Sequence, residues 1–298
     1  MRVNPNYASD MVSLMDQAQQ AENNAAQELS TGRRVNLPSD NPAAEATMID
    51  ENSQSAAIDQ YTASSDSLTD VLNTANSTLD SVTTLLQRAV SLGVEGANGT
   101  NNQTDLNSIA AEVSGIQSQV IALANTSYAG HYLFAGTSTG NAPYVADAVD
   151  PTQIDYVGND QQNHVQIGTG LSVASNLPGS SIFSQSGTNV FDALQSLVTA
   201  LQSGDSSSIA TAESSVSDSL NAVDTAQVFY GNTVDELTTN ETYLSQEKLN
   251  ITTYQNTLVA SDTAEAATDV TQAETVLNAT IAAAAQINQQ ANLLTYLH

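Results

Sequence analysis

The three histidines are the side chains of this sequence best suited to ligate a metal or to move a proton. They stand at positions 131, 164 and 298, far apart in the chain. Histidine metal sites need further ligands at short spacings, often from cysteine, and the chain contains no cysteine. His131 and His164 fall in segments that predict β-strands, where we expect them to be structural. The sequence therefore predicts no metal and no cofactor.

Other catalytic patterns are also missing from the sequence. The carboxylates are scattered along predicted helix surfaces, with no acid–base pair that a pocket would enclose. Gly168-Thr-Gly170 lacks the rest of a dinucleotide-binding fingerprint, and no Gly-x-Ser-x-Gly nucleophile motif occurs. We therefore expect a protein that is not an enzyme.

Arg33 and Arg34 form the one pair of adjacent basic residues in a chain with only 5 Lys and Arg. They follow the first predicted helix, so one interpretation is that they compensate the negative end of its dipole. The other interpretation is a salt-bridge site between subunits, against an acidic neighbour. The sequence leaves both interpretations open.

The charge of the chain is strongly acidic, with 32 Asp and Glu and a formal net charge of −27. Such a surface repels phosphate, so we expect neither nucleic acid nor an anionic membrane as a partner. The acidity fits a solvated surface or an adaptation to a saline or acid habitat. No apolar stretch is long enough to span a membrane, and no apolar segment follows the N-terminal charge. The sequence indicates a chain that is cytoplasmic or exported without a cleaved signal peptide.

The elements that would position any site are long helices. Apolar residues recur at intervals of seven along 209–258 without a miss, and these positions are Ile209, Val216, Val223, Tyr230, Leu237, Leu244, Ile251 and Leu258. A strict heptad stripe predicts a left-handed coiled coil, in a helix about 75 Å long. The segment 43–92 has the same length and its own heptads, so the two helices are each other's simplest partners. A third helix over 104–128 should fold back on the second, and a helix from 189 should stop at Gly204.

Shorter helices are predicted at both ends, over 7–30 and 263–296. The first carries an apolar seam of Met11, Leu14, Ala18, Ala21 and Ala25, and the last carries one of Val270, Leu277, Ile281, Ala284, Ile287, Ala291 and Leu294. The first helix is too short and alanine-rich to be stable alone. We expect the two terminal helices to cover each other or to become ordered by packing with other subunits.

Residues 129–187 differ from the rest, because alternating patterns and glycine replace the heptads. They predict about six short strands, with Gly158-Asn-Asp160 as the turn of a hairpin. The fold class is mainly α, a long antiparallel coiled-coil or helical-bundle rod with paired terminal helices and a small β-rich inserted domain. We divide it into paired ends (1–42 and 261–298), a helical bundle (43–128 and 188–260) and the insertion (129–187).

Three segments resemble the flagellin superfamily of axial flagellar proteins. Leu29-Ser-Thr-Gly-Arg-Arg-Val-Asn-Leu-Pro-Ser-Asp-Asn-Pro-Ala-Ala44 is similar to its N-terminal signature. Asp262-Thr-Ala-Glu-Ala-Ala267 and the ending Leu-Leu-Thr-Tyr-Leu297 are similar to its C-terminal signature. Tyr128-Ala-Gly-His-Tyr-Leu-Phe-Ala-Gly-Thr137 resembles a segment of the superfamily's hook–filament junction proteins.

This resemblance implies a structural adaptor that joins the flagellar hook region to the flagellin filament. It implies export through the flagellar type III channel, an extracellular location in the flagellum and self-assembly into a ring, a homo-oligomer. The implied partners are the preceding hook-associated junction protein, flagellin and an export chaperone. The alternatives are a short flagellin that forms the filament itself, or an acidic secreted helical-rod adhesin or pore-former.

Candidate subunit contacts come from the two ends of the chain. The polar candidates are Arg33, Arg34, Asn36 and Asp40, of which Arg34, Asn36 and Asp40 fall on matching positions of the signature. The apolar candidates for packing between subunits are Leu14, Ile287, Leu293, Leu294 and Leu297.

Overall fold

The computed structural model describes residues 7–150, 152–185 and 188–291. Its helices are α1 (Tyr7–Thr31), α2 (Pro42–Gly96), α3 (Gln103–Ala124), α4 (Gly179–Phe183), α5 (Val190–Ser203), α6 (Ser206–Val259) and α7 (Thr263–Ala291). Its strands are β1 (Ser127–Tyr128), β2 (His131–Tyr132), β3 (Tyr144–Ala146), β4 (Ile154–Tyr156), β5 (His164–Gly168), β6 (Leu171–Ala174), β7 (Ser184–Gln185) and β8 (Thr188–Asn189). The predicted mainly α fold with a small β-rich part is confirmed.

The described residues fall into two compact units, which α2 and α6 both enter. We call them the terminal unit, made of the described residues within 1–56 and 246–298, and the central unit, made of those within 57–245. The division into paired ends, bundle and insertion is not tested by these units and stays a prediction.

The core of the central unit follows the heptads of α2 and α6. On α6, every seventh residue from Ile209 to Leu237 is buried, and Tyr230 is only 1% exposed. On α2, the seam from Leu68 to Ala89 is buried in the same way. Two polar contacts join the helices beside these seams, from Gln227 Nε2 to Asp80 Oδ1 (2.7 Å) and from Thr83 Oγ1 to Asp224 Oδ1 (3.2 Å). The predicted pairing of the two long helices is confirmed in this unit.

Helix α2 extends past its predicted end at residue 92. It continues through Gly93 and ends at Gly96. A Cβ atom on Gly93 would lie 2.8 Å from Cγ of Glu213, and a Cβ on Gly96 would collide with Cδ2 of Leu201. These glycines allow close approach of neighbouring helices, and burial of the helix outweighs their low helix propensity.

Helices α3 and α5 complete the bundle of the central unit and pack on each other. Asn102 caps α3, because its side chain accepts from the N–H groups of Thr104 and Asp105. Helix α3 ends at Ala124, four residues before the predicted end, because Ser127 and Tyr128 pair with β2. Gly204 ends α5 with φ +74°, as the sequence predicted.

The β-rich segment forms four separate antiparallel hairpins in the described residues, β1–β2, β3–β4, β5–β6 and β7–β8. The prediction that Gly158-Asn-Asp160 turns one strand into the next was wrong, because β4 pairs back with β3. Asn159 instead contacts the residues that follow β2, where its side-chain oxygen accepts from the N–H of Thr137 at 2.9 Å. Aromatic side chains pack the segment against α5, where the ring centroids of Tyr144 and Phe191 lie 4.8 Å apart.

In the terminal unit, α1 packs along α7. Helix α7 faces its partner with a regular seam of Ala266, Val270, Ala273, Leu277, Thr280 and Ala284, buried or half-buried. The seam of α1 consists of Met11, Met15, Ala18, Glu22 and Ala25. The predicted positions Leu14, Ala21 and Ile281 are exposed instead, because they lie beside these seams. The pairing of terminal helices is therefore present, with a corrected register.

Candidate subunit interface

The candidate site is a joint in the terminal unit, where the ends of α1 and α6 meet. Gly32 ends α1 with φ +65°, a conformation that glycine adopts without strain. The N–H of Arg34 donates to the carbonyl of Val259 at 2.7 Å, and the N–H of Ser261 donates to the carbonyl of Gly32 at 2.9 Å. These two bonds make a short antiparallel bridge between the segment after α1 and the segment after α6.

Side chains reinforce the bridge from both sides. The hydroxyl of Ser261 donates to Oε1 of Glu28 at 2.6 Å. A small apolar cluster lies beside it, made of buried Val35, Ala44 and Val259 with partly buried Met48 and Leu258. The bridge and the cluster fix where each terminal helix leaves its long helix. The sequence predicted a break between the helices over 209–258 and 263–296, but it did not indicate Ser261 or Glu28, because no local pattern relates residues so distant in the chain.

Asn36 and Asp40 are occupied inside the loop that follows α1. The carboxylate of Asp40 accepts from the N–H groups of Leu37 (2.8 Å) and Asn36 (3.0 Å). These two backbone bonds lower the pKa of Asp40. Nδ2 of Asn36 donates to the carbonyl of Arg33 at 2.6 Å. In this chain both signature residues shape the loop, whether or not they also contact another subunit.

The same loop starts α2, one residue before the predicted start at residue 43. The side chain of Asn41 accepts from the N–H of Ala44 at 3.1 Å, and Pro42 is the first helical residue. The loop between the two helices is therefore held by its own hydrogen bonds.

Arg33 and Arg34 project from this loop with exposed side chains. Neither forms a salt bridge with any residue in the described part of the chain. Arg88 differs, because its guanidinium lies 2.7 Å from Glu112. The loop thus holds two cationic groups at the surface of a chain whose net charge is −27.

The apolar stripes of the terminal helices are wider than the seam that they share. Val12 (58% exposed) and Leu14 (54%) flank the seam of α1 on opposite sides. Val276 (49%) and Ile281 (45%) do the same on α7. A helix with one partner needs only a narrow apolar seam, whereas a wider stripe is typical of a helix with several neighbours. Val12 and Val276 were not predicted from the sequence, although their position beside the heptad positions could have indicated a wide stripe.

The remaining apolar candidates lie outside the described residues. They are the side chain of Ile287 and the whole of Leu293, Leu294 and Leu297.

The histidines do not form a site among the described residues. His131 is exposed and its Nδ1 lies 3.1 Å from Oγ1 of Thr139, and His164 is exposed in β5. His298 is not described. Within the described ranges, no group of three acidic, histidine or cysteine residues could hold a metal, and no helix could span a membrane.

The sequence and the fold match flagellar proteins. The family described as the bacterial flagellin N-terminal helical region matches residues 3–139. Flagellar hook-associated protein 3 of Escherichia coli (strain K12) is 30% identical over 260 residues, which cover 79% of this chain and 80% of that protein. Flagellin of Listeria monocytogenes is 25% identical over 100% of this chain and 99% of that protein. The structure of a flagellar hook-associated protein from Vibrio parahaemolyticus has a TM-score of 0.68 at 22% identity, covering 74% of this chain and 99% of that one.

The paired terminal helices, the joint and the long helical bundle thus define a flagellin-like protein. Within that class, the chain belongs to the family of flagellar hook-associated protein 3. The superfamily resemblance of the sequence motifs is confirmed.

Proposed function

We propose that this chain is a structural adaptor, without enzymatic activity, that joins the flagellar hook region to the flagellin filament. Its family consists of structural flagellar proteins, and the E. coli relative carries the name hook-associated protein. The observation that carries the proposal is the wide apolar stripe of α1 and α7, which these two helices only partly cover for each other.

In this proposal the terminal helices, residues 1–42 and 261–298, pack with those of neighbouring copies into the inner layer of a tube. Val12, Leu14 and Ile281 expose about half of their surface and would become buried there, and burial of that half contributes roughly 0.8–1.5 kcal/mol for each side chain. Ile287, Leu293, Leu294 and Leu297 extend the apolar contact along the axis. The bundle of 43–128 and 188–260 forms the surrounding layer, and the insertion 129–187 faces outward.

Arg33 and Arg34 supply the polar part of the contact, together with the loop shaped by Asn36 and Asp40. Each neighbouring copy presents a strongly acidic surface, so an exposed guanidinium on the joint has carboxylates to meet. Arginine suits such a contact because its planar group binds a carboxylate through two hydrogen bonds.

Further partners follow from the same proposal. The ring of copies would contact the preceding hook-associated junction protein on one side and flagellin on the other. The chain would leave the cell through the flagellar export channel without a cleaved signal peptide, after a chaperone has covered its C-terminal helix. The alternative of a short flagellin is favoured by one observation, the match to Listeria flagellin over the whole chain.

Immunogold electron microscopy of flagella from the source organism separates these functions. We expect an antibody against the 129–187 insertion to label only the junction of hook and filament. Label along the whole filament would make the protein a flagellin. Absence of label from flagella would refute both and favour an acidic secreted rod, such as an adhesin or pore-former.

Arg34→Ala tests the contact itself. We expect a strain carrying only this variant to export the protein but to fail in filament growth, while the purified variant keeps the helical content and melting temperature of the wild type. Arg88→Ala is the matched control, because it removes an exposed arginine of the central unit whose salt bridge is worth at most about 1 kcal/mol. Normal swimming of the Arg34→Ala strain would refute the role of Arg34.

A further inference from the structure

The turn between α2 and α3 contains Asn98-Gly99, the one asparagine–glycine pair of the sequence. The pair follows the end of α2 at Gly96 and precedes the start of α3 at Gln103. Asparagine is a thermolabile residue, because the backbone nitrogen of the next residue can attack its side-chain amide. A following glycine favours this attack most, since it has no Cβ to hinder the approach. Nothing in the proposed function uses this turn.

The attack requires a backbone nitrogen that can approach Cγ of the asparagine. Gly99 lies in the turn, and its N–H donates to no acceptor in the described part of the chain. A Cβ built on Gly99 would meet nothing within 4 Å, so the space around it is open. The side chain of Asn98 is exposed and forms no hydrogen bond with any described residue. Both reacting groups are therefore free to approach each other.

Other asparagines are held by the fold. The side chain of Asn102 accepts from two backbone N–H groups as the cap of α3. Nδ2 of Asn125 donates to the carbonyl of Tyr144 at 2.8 Å, and its side-chain oxygen accepts from the N–H of Tyr144 at 3.0 Å. Where an asparagine lies inside a helix, as at Asn76 in α2, the N–H of the following Ser77 belongs to the hydrogen-bond ladder of the helix. These contacts protect such amides from attack.

Asn141 separates the effect of the following residue from that of exposure. Its side chain is also exposed and forms no hydrogen bond within the described ranges, but the residue that follows is Ala142. The Cβ of alanine hinders the approach of the attacking nitrogen, and alanine reaches fewer backbone conformations than glycine. We therefore expect Asn98 to react faster than Asn141.

We propose that Asn98 is a site of spontaneous deamidation. The nitrogen of Gly99 loses its proton and forms a bond to Cγ of Asn98. The C–N bond of the side-chain amide breaks, and ammonia leaves with the proton that the Gly99 nitrogen gave up. Water then opens the resulting cyclic imide at either of its two carbonyls. One product is aspartate at position 98, and the other is isoaspartate, in which the main chain runs through the side-chain carbon.

Either product changes the turn between α2 and α3. Each replaces a neutral amide with a carboxylate, which adds a negative charge to a chain whose net charge is already −27. The isoaspartate product also moves the backbone carbonyl of residue 98, which accepts from the N–H of Asn101 at 3.2 Å. That hydrogen bond closes the turn before α3, so the isoaspartate form has to remake the connection between the two helices.

Peptide mass spectrometry of the full chain, incubated folded in mildly alkaline buffer, tests this proposal. Cleavage after glutamate isolates residues 96–112, because Glu95 and Glu112 bound a segment with no other glutamate. We expect Asn98 to deamidate at least about tenfold faster than Asn141, with isoaspartate among the products. The incubation continues until a urea-unfolded sample shows the product at Asn98. Its absence from the folded sample at that time, or equal rates at Asn98 and Asn141, would refute the proposal.

A variant of Gly99 identifies the attacking nitrogen. Gly99→Ala keeps Asn98 and fits the open space, so we expect a folded chain in which Asn98 deamidates at least about tenfold more slowly. Gly140→Ala is the matched control, because it also fills open space at a turn glycine, and it should leave the rate at Asn98 unchanged. An unchanged rate at Asn98 in Gly99→Ala would overturn the assignment of Gly99 as the attacking residue.

Discussion

The hydroxyl of Tyr230 offers a sharp test of how the β-rich segment is attached to α6. Tyr230 lies in the heptad seam of α6 and is almost fully buried. Its oxygen accepts from the N–H of Leu177 at 3.3 Å, in the segment that follows β6. Tyr230→Phe removes this acceptor, keeps the ring and leaves the N–H of a half-buried residue without its partner.

The expected loss is about 1 kcal/mol of unfolding free energy. A net hydrogen bond contributes about 0.5–1.5 kcal/mol, and a buried donor left unpaired costs about 1–3 kcal/mol. The lower part of these ranges applies, because the bond is long and Leu177 is only half-buried. With a urea m-value of about 2.5 kcal/mol/M, the midpoint should fall by about 0.4 M.

Tyr144→Phe is the matched control for the Tyr230 variant. Both phenols are buried, but the hydroxyl of Tyr144 has no partner in hydrogen-bond geometry among the described residues. Its removal should therefore leave the midpoint unchanged or raise it slightly. Urea titration followed by far-ultraviolet circular dichroism measures both variants. Equal midpoints for Tyr230→Phe and the wild type, with unchanged m-values, would refute the role of the Leu177 bond.

Repeating the urea titration at alkaline pH tests the burial of Tyr230, because the direction in which stability changes with pH is defined. Burial raises the pKa of Tyr230 well above the ordinary value near 10. The unfolded chain therefore loses this proton at lower pH than the folded chain does. Stability is fully present below about pH 10 and is lost as the pH rises further, and Tyr230→Phe should make that loss shallower. An equally steep loss in the variant would contradict this assignment.

Three further predictions concern packing and charge. Gly96→Ala should lower the free energy of unfolding by about 1–3 kcal/mol, because the new Cβ would collide with Leu201. Gly115→Ala in α3 is the control, because its Cβ would meet open space, and it should raise that free energy by about 0.5–1 kcal/mol. Urea titration compares the two variants, and equal effects would refute the close approach at Gly96. Burial and the nearby charge of Asp66 raise the pKa of Glu241, so its contribution to stability is present in acid and is lost as the pH rises through that pKa. Glu241→Gln should therefore raise the melting temperature at neutral pH. An unchanged melting temperature would contradict this prediction. Adding salt should raise the melting temperature, because it screens the repulsion within a chain of net charge −27, and a fall would be the opposite of this expectation.

The heptads predicted the long helices correctly because the apolar positions of the sequence repeat are the positions that the structure buries. A residue such as Leu72 or Leu237 is fully buried because the helix keeps its face turned to one partner over many turns. The boundaries were less predictable. Gly93 looked like a helix end, yet it lies inside α2 because Glu213 approaches its backbone closely, and a local sequence pattern contains no information on such a distant contact.

The register of α1 shows a second limit of sequence patterns. Leu14 was assigned to the seam, but the half-buried positions are Met11 and Met15. In an alanine-rich helix with apolar residues on several sides, adjacent registers bury similar side chains, and only the partner selects one. The hairpins of 127–189 were the least predictable part, because strands of two to five residues are too short to show a clear alternating pattern.

The misassigned seam and the proposed assembly have the same physical origin. An apolar stripe that serves one partner is narrow and marks its register clearly, whereas a stripe that serves several partners has apolar residues on both flanks. Val12 and Leu14, on either side of the α1 seam, made the register ambiguous and are the residues that we propose for contact with other subunits. Repulsion between copies of net charge −27 opposes assembly, so apolar contact has to supply most of its driving force. In the proposed assembly, Arg33 and Arg34 would act chiefly on the geometry of the contact, because exposed ion pairs add little free energy but favour one orientation.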